Sequence, residues 1–359
     1  MTRAHELKAL ARAMQGALPA DAEWAGVLDL ANRSLITPRL ALSMADSQLP
    51  ADVDAFLQDV LARNRHRNQR LRAQLDSAVL QLNRRQITPV LLKGSAALLC
   101  AEDSPRRDGR MLCDLDILVR PDQVDDAILA LEADGYALLS RRHGRDLHAV
   151  AELMRDGEHA MIDLHQRPPG PPGMAEVSDL QRHCSAEALA AGAVALLPCP
   201  TLQLFFLVLH DQFHDGDYWS GRLNLRHLLD TADLLGAAEG IDWPYLDSLV
   251  ETSVVRNALE TLLIDADWLT GVAPPARRLR RLWPRLQHWR RLQQVSSPGW
   301  MIPFAVATGL CESANLAGHG RANRAGRRRI LGRDSGLGAP ASRLSRMRDI
   351  FGAPGAGKL

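Results

Sequence analysis

Lysine is nearly missing from this chain. Of 359 residues only three are lysines, at positions 8, 93 and 358, against forty arginines. Wherever positive charge alone would serve, arginine is used, so a lysine inside a structured segment needs a local reason. Aromatic residues are few, at 4%. The five cysteines (100, 113, 184, 199 and 311) are scattered, odd in number and without a CxxC pair. That excludes a disulfide framework or a cysteine-rich zinc site and fits a reducing, cytoplasmic setting. No run approaches the roughly eighteen apolar residues of a spanning helix. The opening "MTRAHELKALARAMQG" has no apolar h-region, so neither a signal peptide nor a membrane partner is expected. The formal net charge is only +1, which leaves no global field to attract nucleic acid or a membrane surface.

What is present describes an ordinary soluble chain, 46% apolar and long enough for two or three domains. Residues 1–86 read as helical. The stretch "DVDAFLQDVLARNRHRNQRLRAQLDSAVLQLNRRQ" (52–86) carries leucines at helical spacing and suits a packing scaffold. The period then changes. "TPVLLKG" (88–94) is a short apolar strand ending in glycine, and "SAALLCAE" (95–102) a helix with Ser95 at its start. "MLCDLDILV" is a second strand, "PDQVDDAILALEADGY" a helix opened by Pro-Asp, and "YALLS" a third strand. "LHAVAELMRDGEHAMIDLHQ" (147–166) reads as a hairpin about the turn "RDG", and "RPPGPPG" (167–173) breaks regular structure. From about 200 to 315 the pattern is helical. These readings give an α+β fold in four parts: a helical N-terminal segment (1–86), a mixed core (87–199), a helical C-terminal domain (200–317) and a basic tail (318–359). The tail has ten Lys/Arg against two Asp and little apolar periodicity, which predicts partial disorder.

The chemistry concentrates in "CDLDILV". A strand alternates its faces, so Asp114 and Asp116 point the same way while Leu115 and Ile117 point opposite. Two such acids either face water or hold a cation, and the pair alone does not decide. A third acid, Asp163, sits in another apolar strand, "AMIDLHQ". Three carboxylates on neighbouring strands can clamp two divalent metals, the arrangement that stabilises attacking and leaving oxygens in phosphoryl displacement. Upstream, strand–Gly94–Ser95–helix offers backbone N–H groups, a hydroxyl and a helix N-terminus to an anion. Lys93 precedes it directly, and Arg110 lies four residues before Asp114.

In this combination the chain resembles the uncharacterised bacterial nucleotidyltransferases of the DNA polymerase β-type superfamily. The residues that carry the likeness are "LLKGSAALL", an arginine shortly before "DLDILV", and "IDLH", followed by a helical half containing "LRHLLDTADLL…IDWPYLDSL"; it covers about 87–315. The resemblance implies a nucleotidyltransferase-type mixed sheet with flanking helices. It also implies an enzyme that moves a nucleoside monophosphate from an NTP, ATP by default, to an acceptor hydroxyl with release of pyrophosphate. Asp114 and Asp116 would hold two Mg²⁺, with Mn²⁺ as a substitute. Asp163 would ligate the catalytic metal and help deprotonate the acceptor. Gly94 and Ser95 would contact the β- and γ-phosphates, with Lys93 and Arg110 as secondary phosphate or substrate contacts. The acceptor would be a small molecule or a peptide or protein hydroxyl. Alternatives are nucleotide addition to an RNA 3′ end, supported only by the basic tail, and an inactive nucleotide-binding scaffold.

Other features read two ways. "HDQFH" (210–214) puts His210 and His214 at i, i+4, one residue type away from the HExxH zinc motif. Its acid is a methylene short and no third ligand follows at a familiar spacing, which argues against a metalloprotease. Core polar-network histidines or an acceptor-pocket wall remain. His165, two residues after Asp163, either orients acceptor or phosphate or is structural. Arg226 and Asp230 are an i, i+4 helix pair, with Asp230 a further acceptor-pocket candidate. The terminal "GAPGAGKL" echoes a P-loop but lacks the following Ser/Thr and a preceding strand.

Overall fold

The computed structural model describes residues 2–144, 147–170 and 180–317. The basic tail (318–359) and its P-loop echo lie outside the described residues. Helices α1 (Arg3–Met14), α2 (Trp24–Arg33), α3 (Thr37–Ser43) and the long α4 (Ala51–Arg84) open the chain. The core then runs β1 (Val90–Leu91), α5 (Lys93–Ala97), α6 (Pro105–Asp108), β2 (Asp114–Leu118), α7 (Val124–Ala133), β3 (Ala137–Arg141), β4 (Ala149–Met154), β5 (Met161–His165), β6 (Cys184–Ala188) and β7 (Val194–Pro198). Helices α8 (Pro200–Val208), α9 (Asp217–Ser220), α10 (Leu225–Leu235), α11 (Trp243–Leu249), α12 (Ser253–Thr270), α13 (Leu282–Ser296) and α14 (Met301–Ala317) follow. No helix of the described residues is long and apolar enough to cross a membrane, and all five cysteines are free.

The fold is mixed α+β. Its seven strands form one sheet in the order β3-β4-β5-β2-β1-β7-β6. Strand β2 lies antiparallel to β1 and parallel to β5, and the register sets Asp116 directly beside Asp163. The β4–β5 hairpin forms where the alternation about "RDG" predicts it. The β6–β7 hairpin is an addition to the sequence reading. Its strands, CSAEA and VALLP, hold one β-branched residue, Val194, and no aromatic, few of the residues that mark a strand.

Alternation along β2 divides its side chains between two environments. Leu115 and Ile117 are fully buried with Leu71, Leu75 and Val79 of α4 and Ile128 and Leu131 of α7. Each such side chain contributes about 1.5–3 kcal/mol by leaving water, which fixes the strand's register against α4. Asp114 and Asp116 consequently turn to the other face. The first half of α4 (Val53, Leu57, Leu61) and helices α1–α3 share a second core with the C-terminal helices, joined from the sheet by Val90, Leu92 and Leu118. Segment 1–86 thus divides its packing between two cores, and α4 is the rod that links them.

Candidate active site

Between strand β1 and helix α5 the backbone turns at Lys93, which has φ of 45°. A left-handed conformation in a non-glycine residue costs about 1–3 kcal/mol and persists only where its surroundings hold it. Here the holder is an ion pair: Lys93 Nζ donates to Asp116 Oδ1 at 2.7 Å. The helix therefore starts at Lys93, not at Ser95 as expected. Ser95 is fully buried, and its Oγ has no hydrogen-bond partner among the described residues. It follows cleft-lining Gly94 directly and is not itself among the residues that line the cleft. Gly94 does line the cleft, and a Cβ there would meet Leu112 Cδ2 at 2.7 Å.

Asp114, Asp116 and Asp163 converge on one open cleft of about 830 Å³, surrounding solvent included. His165 lies beneath them rather than in it. It is fully buried, with Nε2 2.9 Å from Asp116 Oδ1 and 3.4 Å from Asp163 Oδ2. Its ring is thus bonded to the two carboxylates and is not among the side chains that line the cleft. Burial opposes its charge, but the bonds from Asp116 and Asp163 outweigh that and raise its pKa above the usual histidine value. Burial likewise works against ionised Asp116, yet Lys93 and His165 hold its carboxyl far below the usual range. Asp114 goes the other way: burial and the neighbouring Asp116 charge push it up. Burial disfavours charged Lys93 as well, while Asp116, Asp114 and Asp163 together keep it above the ordinary lysine value. Three carboxylates thus face one ammonium and one imidazole.

That donor set suits a hard divalent cation, which takes carboxylate oxygens. Asp163 Oδ1 is buried without a hydrogen-bond partner among the described residues, an uncompensated acceptor of the kind that a cation would satisfy. Oxygens of Asp116 and Asp163 lie with the His165 ring in a cluster whose ligand atoms are all within 4.8 Å.

The opposite wall comes from the helical half. His210, His214, Arg226 and His227 line it, with His148 and the Arg142–Glu152 pair from the sheet side. Burial, then the charges of His214, His165 and Lys93, push His148 down to about 3, and His210 also lies well below the usual histidine value through burial and Lys93. Both imidazoles are neutral at physiological pH. Asp211, the acid of "HDQFH", is buried and bonded to His227 Nδ1 at 2.6 Å. A buried, bonded carboxylate is not placed as the general base of a zinc hydrolase.

Arg110 reaches the cleft from a loop, and its guanidinium is bonded to Asp230. Asp230's partner is therefore Arg110 across the two halves, not Arg226 one helical turn back. Burial disfavours the Asp230 charge, but Arg110 overrides it and keeps that carboxyl below its usual range. The loop is held by α4. Asn68 donates to the carbonyls of Arg107 at 2.7 Å and Arg110 at 2.9 Å, and Asn64 to those of Asp108 and Arg110 at 2.7 and 3.1 Å. Sequence reasoning missed this clamp and missed His148. Two buried asparagines at i, i+4 on an otherwise leucine-lined helix face were the available signal.

Comparison with known proteins bears on this geometry. Residues 20–271 match a family described as uncharacterised nucleotidyltransferase. No curated protein matches the chain. Among solved structures, the antibiotic-resistance factor ANT(2'')-Ia in solution is 13% identical with a TM-score of 0.34, covering 49% of this chain and 87% of that one. An antigenic nucleotidyltransferase-like protein from Paracoccidioides brasiliensis is 16% identical with a TM-score of 0.36, covering 59% and 98%.

Proposed function

The chain belongs to the uncharacterised nucleotidyltransferase family, and on that premise we propose that it transfers a nucleoside monophosphate from an NTP, ATP favoured, to an acceptor hydroxyl. The observation that carries the reading is the pairing of Asp116 beside Asp163 on parallel strands, with Asp114 on the same face. Asp114, Asp116 and Asp163 would hold divalent magnesium. When bound, that cation neutralises phosphate charge and lowers the pKa of the hydroxyl it meets.

The chain's own residues do the rest. Asp163 takes the acceptor proton as the hydroxyl oxygen bonds to the α-phosphorus and the bond to the β-phosphate bridge breaks. Pyrophosphate leaves toward Gly94, which lines the cleft and has no side chain to stand between its backbone N–H and a phosphate. Lys93 and Arg226 balance the charge that develops on the leaving group. His165 keeps Asp116 and Asp163 oriented from below. The acceptor sits between the acids and the histidine wall, where pockets between two halves of a molecule commonly form. It is a small molecule or a peptide or protein hydroxyl. Its site is the cytoplasm, in keeping with five free cysteines.

The test is incubation with each of the four NTPs labelled at the α-phosphate, Mg²⁺ and a fractionated lysate of the host. Label in a small-molecule or protein fraction, dependent on Mg²⁺, is expected. Label confined to RNA ends would replace the acceptor class, and no uptake from any nucleotide would defeat the reading.

A further inference from the structure

Helix α8 does not end as an α-helix. It runs into a π-turn over Leu209–His214, closed by the N–H of Asp215 donating to the carbonyl of His210 at 2.9 Å. Such turns are rare and recur at functional sites. The widened turn brings His210, His214 and Asp215 to one face, whereas in an α-helix the i+5 side chain points away from i. His210 and His214 ring nitrogens and an Asp215 carboxylate oxygen all lie within 4.8 Å of one another. His210 Nδ1 and Asp215 Oδ2 are 3.7 Å apart. That is too long for a hydrogen bond, but close to the ~3.4 Å edge of a tetrahedron with ligands ~2.1 Å from a central zinc. His210 Nδ1 is buried and has no hydrogen-bond partner among the described residues. His148 adds a further imidazole, its ring 4.3 Å from that of His214.

We propose that His210, His214 and Asp215 form a binding site for a divalent transition metal, zinc by its donor chemistry, in the helical wall of the cleft. The acid cluster on the sheet offers carboxylate oxygens and suits magnesium; this one offers imidazole nitrogens, which suit zinc, cobalt or nickel. Three protein ligands leave a coordination position open. Because His210 and His214 line the cleft, that position is within reach of a donor atom on the acceptor. The site stands on side-chain geometry alone and does not depend on nucleotidyl transfer.

The full chain, stripped of metal and dialysed against Zn²⁺, is expected to retain a single equivalent by elemental analysis. Asp116→Asn is expected to retain it too, and His210→Ala and His214→Ala to lose it. Retention by both histidine variants, or loss in Asp116→Asn, would overturn the proposal. A second measurement needs no variant. Loading the unmodified chain with Co²⁺ is expected to give the intense visible absorption of low-coordinate, nitrogen-ligated cobalt. The weak spectrum of six-coordinate cobalt in oxygen ligands would overturn the assignment.

Discussion

Replacing Lys93 by methionine keeps the length and apolar stem of the side chain and removes the ammonium bound to Asp116 at 2.7 Å. Asp116 is 1% exposed, so water cannot take over its charge. Removing one partner of a buried ion pair costs about 3–5 kcal/mol. His165 remains bonded to Asp116 and the Lys93 side chain is 19% exposed, which places the expected loss at the lower end, about 3 kcal/mol. Adding Asp116→Asn to the same chain should recover most of that loss, because no unpaired buried charge is left. The pH dependence has a definite sign. Burial raises the Asp116 pKa, but Lys93 and His165 hold it below the ordinary 3.8 in the folded state. Its stabilisation is therefore present above 3.8 and is lost as pH falls toward the folded value. The gap between wild type and Lys93→Met should be full at neutral pH and shrink below about pH 4. Mg²⁺ should stabilise the variant more than the wild type, a cation replacing the lost ammonium. Urea unfolding followed by circular dichroism reads all four effects. A variant as stable as wild type at neutral pH, or a gap unchanged in acid, would refute the reasoning.

Other consequences concern the supports of the site. Asn68→Ala leaves the carbonyl of Arg107 without its donor and that of Arg110 with Asn64 alone, and should cost about 1–3 kcal/mol; hydrogen exchange should rise across residues 104–112 and transfer should slow. Arg110→Met and Asp230→Leu should each destabilise by about 3–5 kcal/mol by stranding a buried charge, while the double variant should cost clearly less than the sum, read by a double-mutant cycle in urea. Gly94→Ala forces the buried Leu112 side chain aside, at about 1–3 kcal/mol, and should raise the KM for nucleotide more than it lowers kcat.

The sequence made the acids legible because strand alternation is a strong rule. Asp114 and Asp116 share a face by period, and the apolar frame around Asp163 marks a second strand able to lie alongside. Their partners were not legible. Lys93 stood out by rarity, but its bond to Asp116 depends on a left-handed turn that no local pattern announces. Asp230 found Arg110 instead of Arg226 because long-range packing, through the Asn64–Asn68 clamp, brings the loop to α10. The scaffold helix α4 looked purely structural, since the i, i+4 pair Asn64 and Asn68 marks a polar contact on its buried face without saying which backbone it meets. The strands β6 and β7 were passed over because CSAEA and VALLP are short and hold only one β-branched residue and no aromatic between them. The same limit applies to His210, His214 and Asp215: an α-helical reading pairs the first two and excludes the third, and only the π-turn joins them.

The most direct test of the central claim is turnover of NTP labelled at the α- or γ-phosphate, in the presence of Mg²⁺ and an accepting lysate fraction, by wild type and by Asp116→Asn. The account predicts that wild type transfers the α-label, releases the γ-label as pyrophosphate, and loses at least about 10²–10³-fold in rate in the variant, while the variant keeps the wild-type circular dichroism. Transfer of the γ-label to the acceptor, or undiminished transfer by folded Asp116→Asn, would contradict it.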